Sequence, residues 1–198
     1  MIPPVSELIT LCHLVLSSSC KEGDIVLDAT AGNGHDALFL ASLVGREGLV
    51  VAVDIQEEAL QAARMLLRKT GMDGIVRLLH GDHAEMSALL KREMPADREL
   101  SAAVFNLGFL PGSDKRIRTS AASTITALNA VWSYLRDGEL LSVHAYVGHE
   151  GAAEEAAAVD AWMKGLDWKK ARVTACRQHN KPSRCETLYL ARKLSPSP

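Results

Sequence analysis

The stretch from Ile25 to Gly34, Ile-Val-Leu-Asp-Ala-Thr-Ala-Gly-Asn-Gly, constrains this chain more than any other. An apolar run short enough to be a buried strand ends in the carboxylate of Asp28. A turn with two glycines follows, and helical spacing begins at Ala37 and runs to Val44. Strand, glycine turn and helix form the opening unit of an α/β sheet, whose ligand crevice lies beyond the carboxyl ends of the strands. Glycines in such a turn permit positive φ and let backbone N–H groups come close to a bound molecule.

The same alternation continues to the end of the chain. Leu49 to Asp54 is a second apolar strand, Glu57 to Lys69 a helix closed by Gly71, Ile75 to Leu79 a strand and Ala84 to Arg92 a helix. Ala102 to Asn106 is a strand, Thr119 to Leu135 a long helix, Glu139 to Tyr146 a strand opening after Asp137-Gly138, and Ala152 to Lys164 a helix. The last two strands, Lys169–Cys176 and Thr187–Ala191, lie close enough in sequence to pair antiparallel. In front of everything, Val5 to Ser19 places apolar residues at helical spacing behind Pro3-Pro4. The expected fold is therefore α/β, a seven-stranded mixed sheet with helices on both faces and an extra N-terminal helix within residues 1–20. With 198 residues and 47% apolar content, one domain over 1–198 can bury a full core, and the Ser195-Pro-Ser-Pro tail is expected to fray.

Several classes fall away. The apolar stretch Leu8 to Leu16 is too short for a bilayer, which needs ~20 apolar residues, and lacks the charged flank of a signal peptide. Cys12, Cys20, Cys176 and Cys185 form no C-x-x-C pair, so no metal site and no disulfide framework is expected, and reduced thiols imply a cytoplasmic protein. The net charge of −2 conceals an asymmetry. From Lys164 to Lys193 the basic residues Lys164, Lys169, Lys170, Arg172, Arg177, Lys181, Arg184, Arg192 and Lys193 face only Asp167 and Glu186. Such a segment either attracts an anionic partner or is a set of solvated side chains at strand edges. Trp132, Trp162 and Trp168 read as packing residues rather than base-stacking platforms.

The glycine loop read as Gly32-x-Gly34-x-x-Ala37 also satisfies a dinucleotide fingerprint, so the glycines alone do not identify the ligand. The acids discriminate. Asp28, at the strand end, would repel a pyrophosphate but suits the α-ammonium of S-adenosylmethionine, a role Asp36 can share; Thr30 and Asn33 lie in the same loop. Asp54 fits an acceptor for a ribose diol, and Gln56 stands beside it. Asp82 after the third strand fits an acceptor for the adenine amine, with His83 packing on the ring or donating to it. The fourth strand ends in Asn106, whose side chain offers both a carbonyl acceptor and an amide donor for holding an amine or amide nucleophile, and Pro111-Gly112 turns the loop beyond it.

Asp28–Asp36 with its Asn33-Gly-His-Asp, Asp54-Ile-Gln56, the run Asn106-Leu-Gly-Phe-Leu-Pro-Gly-Ser-Asp-Lys115, and Gln178-His-Asn180-Lys-Pro182 together resemble a bacterial family that carries the name rRNA methylase. Its members act as tRNA 5-(aminomethyl)uridine methyltransferases, making 5-methylaminomethyl-2-thiouridine from the 5-aminomethyl form at the wobble position. The resemblance spans nearly the whole chain and implies a Rossmann-like class I methyltransferase fold and S-adenosylmethionine as methyl donor. Its most specific part is Asn106–Lys115. The chain departs from the family where Phe109 replaces an expected Tyr and Ser183 an expected second Pro, both on the presumed acceptor side.

The implied reaction needs a neutral amine, and the base candidates Asp114, His144, Tyr146 and His149 are not separated by sequence. Lys115, Arg177, Asn180, Lys181 and Arg184 are candidates for holding RNA, with recognition confined to the anticodon stem-loop. Methylation of rRNA or a small amine, a non-catalytic S-adenosylmethionine-binding subunit and, last, an NAD-dependent oxidoreductase stay open, as does a homodimer.

Overall fold

A computed structural model describes residues 7–108, 119–147, 151–181 and 186–195. In chain order the elements are α1 (Glu7–Ser19), β1 (Ile25–Asp28), α2 (His35–Val44), β2 (Leu49–Asp54), α3 (Glu57–Thr70), β3 (Val76–His80), a 3-10 turn at His83–Glu85, α4 (Met86–Glu93), β4 (Leu100–Leu107), α5 (Ala121–Tyr134), β5 (Leu135–Ala145), α6 (Ala152–Gly165), β6 (Ala171–Cys176) and β7 (Thr187–Lys193). They build a seven-stranded sheet in the order β3-β2-β1-β4-β5-β7-β6. The first five strands run parallel, and β7 is antiparallel to both of its neighbours. This is the expected mixed sheet, with the closing antiparallel pair where the short spacing put it.

The elements form for local reasons. In β1 all four residues are buried, which suits a strand covered on both faces. α3 buries Ala59, Leu60, Ala63 and Leu67 along one stripe, starts with Glu57 and Glu58 in its first turn, and ends on Gly71 at φ 71°. One layer of the core gathers α4, α5 and α6 around Phe105, Leu107, Val143 and Tyr189. The other packs α1, α2 and α3 on Val26, Val50, Val104 and Leu140.

Most boundaries shift by one or two residues, and three of the departures have a local cause. The helix after β3 is preceded by a separate 3-10 turn, because the Asp82 side chain caps it by accepting from the Ala84 N–H while Glu85 reaches back to the Asp82 N–H. The long helix stops at Tyr134 and β5 begins at once, its register against β4 shifting between Leu100 and Ala102. Gly138 sits inside that strand at φ 89° rather than opening it. The start of β6 retreats to Ala171, since Asp167 turns the chain by accepting from the backbone N–H groups of Lys169 and Lys170.

Candidate functional site

The direction of chain progression reverses between β1 and β4, so the crevice of this sheet opens above their carboxyl ends. The pleat decides which side chains meet there. Asp28 pairs in register with Val104, and Asn106, two residues on, pairs with His144. Alternation therefore puts Asp28, Asn106 and His144 on one face, the face covered by α1 and α2.

Asp28 is fully buried. Its Oδ1 accepts from the Thr30 N–H at 3.1 Å, while Oδ2 has no hydrogen-bond partner. Burial, followed by the nearby Asp36 carboxylate, raises its pKa well above the ordinary carboxylate range. A buried carboxylate oxygen lacking a donor is the arrangement that an ammonium group resolves.

Asp36, in the first turn of α2, has both oxygens engaged: Oδ1 with His13 Nε2 at 2.8 Å and Oδ2 with the Asn106 amide Nδ2 at 2.6 Å. The Thr30 hydroxyl oxygen accepts from the Asn106 backbone N–H at 2.8 Å. Thus Thr30 positions the strand end rather than lining the loop passively. Asn33 is exposed at the tip of the turn.

Asp54 braces the same loop, its Oδ2 accepting from the Gly32 N–H and its Oδ1 from the Gln56 N–H, at 2.8 and 2.9 Å. Each oxygen keeps a further lone pair for a hydroxyl. Gly32 and Gly34 have φ of 48° and 85°. At Gly34 a Cβ would lie 2.8 Å from the Ala63 Cβ, so this glycine is required by the approach of α3 as well as by the turn.

Asp82 is half-buried and caps the following turn. His83 points inward. Its Nε2 meets the Ala29 carbonyl oxygen at 2.8 Å and its ring lies edge-on to Phe105, so the ring fastens the third strand's end to the loop after β1. The exposed apolar side chain between Asp54 and Gln56 is Ile55, which offers a purine ring a face that the acids do not. The sequence reading passed over it, although it stands inside the Asp54-Ile-Gln56 run.

His144 is buried, lies tilted against Tyr146 with ring centroids 4.2 Å apart, and has neither ring nitrogen in a hydrogen bond. Glu186 lies 3.7 Å from its Nε2. Desolvation lowers the His144 pKa against the opposing pull of Glu186 and Asp36, and raises that of the Tyr146 phenol. At neutral pH His144 is therefore an uncharged imidazole and Tyr146 a neutral hydroxyl.

Asp114, Lys115, His149 and Arg184 lie outside the described residues. The loop from Arg177 to Lys181 follows β6, which runs in the direction of β5, so it stands at the same end of the sheet as Asn106. Arg177, Asn180 and Lys181 are all exposed there, and the Arg177 guanidinium also donates to the Thr187 hydroxyl at 2.9 Å. Of the tryptophans, Trp132 and Trp162 pack edge to face, but Trp168 is 69% exposed. The packing expectation fails at Trp168 because the turn on Asp167 swings it off the sheet, where Arg172 covers its ring at 5.5 Å.

The family model described as "Putative rRNA methylase" matches residues 50–192. A chloroplastic tRNA (mnm(5)s(2)U34)-methyltransferase of Arabidopsis thaliana is 35% identical over 169 residues, covering 80% of this chain but only 60% of that protein's length. A Clostridium thermocellum structure bearing the rRNA-methylase name superposes with a TM-score of 0.88 at 33% identity, over 96% of this chain and all of the other. A Streptococcus mutans methyltransferase fold solved in complex with SAH gives 0.83 at 30% identity, with the same coverage. The orphaned Asp28 oxygen and the Asp54 carboxylate are acceptors, and the braced glycine loop a cradle, that fit S-adenosylmethionine. The chain belongs to the rRNA methylase family and is an S-adenosylmethionine-dependent methyltransferase.

Proposed function

We propose that this methyltransferase acts on the 5-aminomethyl group of a (2-thio)uridine at the tRNA wobble position, giving the methylaminomethyl nucleoside. The observation that carries the reading is the Asn106 amide. Its NH2 is taken up by Asp36, so its carbonyl Oδ1 is left facing away as an acceptor, and an incoming primary amine has an N–H to give it. The name of the Arabidopsis relative supports a tRNA wobble uridine as the bearer of that amine.

The bound cofactor supplies an electrophilic methyl on sulfonium, so the protein's task is alignment and a neutral nucleophile. Asp28 takes the cofactor's ammonium, Asp54 and Gln56 the ribose, and Asp82 the adenine amine, with Ile55 against the ring and Gly32, Asn33 and Gly34 shaping the loop. Asn106 orients the nucleophile. His144, uncharged and next to Asn106 across the β4–β5 pair, accepts the proton that the aminomethyl group must shed. Tyr146 is unsuited to that task, because its raised pKa keeps the phenol protonated; it supports the imidazole by packing against its ring. Asn180 and Lys181, at the same end of the sheet, hold the phosphates of an anticodon stem-loop.

The test incubates the purified chain with labelled S-adenosylmethionine and tRNA carrying 5-aminomethyl-2-thiouridine, then separates the nucleosides by mass spectrometry. One added methyl on that nucleoside is expected, with loss of turnover in Asn106→Ala and His144→Gln while SAH still binds. Transfer to rRNA or a small amine, with the wobble nucleoside unchanged, would overturn the substrate assignment and leave the cofactor site standing.

A further inference from the structure

A chain of hydrogen bonds runs from the N-terminal helix to the strand that carries Asn106. His13 on α1 meets Asp36 Oδ1 at 2.8 Å, and Asp36 Oδ2 meets Asn106 Nδ2 at 2.6 Å. The His13 ring is itself fixed, lying flat on Phe39 with centroids 3.9 Å apart and an interplanar angle of 13°. His13 and Asp36 are 28% and 21% exposed, dry enough for the contacts to hold and open enough for the site to be reached. Three elements that are remote in sequence thus converge on one side-chain amide.

We propose that His13 is a positioning residue for methyl transfer: through Asp36 it fixes the orientation in which Asn106 presents its carbonyl oxygen to the nucleophile. An ionised carboxylate only accepts hydrogen bonds. Asp36 therefore demands the NH2 edge of Asn106 and the Nε2–H of His13, and by doing so excludes the flipped amide. The torsion that sets a carboxylate plane is broad and weakly held by itself. With Oδ1 anchored by His13, Oδ2 stays where Asn106 needs it; without that anchor the plane turns and the amide follows. Misplacing an aligned reactant by a fraction of an ångström costs rate far more than affinity. The inference rests on the reading that Asn106 meets a nitrogen nucleophile.

The experiment compares His13→Leu, His13→Asn and His13→Gln in the full chain. Glutamine can bring an amide N–H to the place of Nε2; asparagine is polar but too short, and leucine has no donor. Expected is a fall in kcat of roughly ten- to a hundredfold for the leucine and asparagine variants. The KM for S-adenosylmethionine and the Kd for SAH stay at the wild-type value, and the glutamine variant recovers most of the rate. In 15N-labelled protein, the Asn106 side-chain NH2 signals, assigned by their absence in Asn106→Ala, move in the first two variants and return in the third. Unmoved signals, or a glutamine variant as slow as leucine, would overturn the proposal. So would a rate loss that merely follows a loss of thermal stability. If wild-type protein fails to methylate the wobble nucleoside, the substrate reading fails alone, because the NMR arm still decides whether His13 controls Asn106.

Discussion

Asp28 shows how a site residue can work against the fold that holds it. Its pKa is raised by burial and by Asp36, so the folded state retains a proton that the unfolded chain gives up near the ordinary carboxylate value of 3.8. The stability this proton confers is complete below that value and is lost as pH rises through the folded-state pKa. At neutral pH, well above 3.8, the ligand-free protein has already lost part of this stability. Asp28→Asn keeps the shape and removes the charge, so it should raise the melting temperature of the ligand-free protein at pH 7 and leave it unchanged at pH 3. On the proposed role of Asp28, the same change should also remove an ion pair with the cofactor's ammonium, worth about 1.5–3 kcal/mol, or roughly ten- to a hundredfold in Kd for SAH. Thermal scans at the two pH values and calorimetric SAH titration check both halves. A buried acid that destabilised without binding anything would show the first effect and not the second.

Glycines illustrate what an element requires as opposed to what a ligand requires. Gly34 and Gly71 share nearly the same left-handed backbone, at φ 85° and 71°. Around Gly71 there is open space, whereas at Gly34 a Cβ would press on both Cβ and Cα of Ala63 at 2.8 and 2.9 Å. Gly71→Ala should lose only the backbone term of about 1–2 kcal/mol. Gly34→Ala should lose that and a further ~1–3 kcal/mol of overpacking between α2 and α3. Urea unfolding of the two variants separates the terms, and equal losses would mean that α3 moves aside freely. α5 and α6 are joined with a different device. The buried Glu155 accepts from the hydroxyls of Thr119 and Thr124 at 2.7 and 2.6 Å, which satisfies a carboxylate inside the helix pair. Helices and strands themselves were readable from periodicity and capping residues, and among the boundaries that moved, those at Asp82, Gly138 and Asp167 did so where side-chain or turn geometry intervenes.

Across the whole molecule the basic C-terminal segment divides into two populations. Arg192 donates to the Gly138 carbonyl oxygen and to Ser19, and Lys193 to the carbonyl oxygens of Trp132 and Leu135, so these charges lock β7 to its surroundings. Lys181, exposed on the loop at the Asn106 end, belongs to the surface. Lys181→Ala should weaken tRNA binding and lower the slope of log K against log salt by about one. Arg192→Ala should lower the melting temperature and leave that slope alone. Filter binding across a salt series, beside thermal scans, distinguishes them. No helix among the described residues is long and apolar enough to cross a membrane. Of the described basic residues in this stretch, Arg192 and Lys193 are drawn into the fold, while Lys164, Lys169, Lys170, Arg172, Arg177 and Lys181 are exposed.

What the sequence determined alone is whatever depends on neighbours in the chain. Four-residue apolar runs, helical stripes, glycine turns and acids at strand ends are local patterns, and from them the seven-stranded mixed sheet was legible, together with the positions of the glycine turn and of Asn106 at a strand end. Partnerships across the chain were not. His13 read as one polar residue on an amphipathic helix, and Asp36 as an acceptor for an ammonium, because nothing local says that they are 2.8 Å apart or that Asn106, 70 residues on, completes the chain. His144 was one base candidate among four in the sequence; strand register sets it beside Asn106 and burial lowers its pKa, which is what supports its proposed role. Periodicity fixes which face of an element is buried; only the packing of α1 and α2 over β1, β4 and β5 decides which polar groups share that face, because hydrogen bonds and desolvation act over ångströms in space and are blind to distance along the chain.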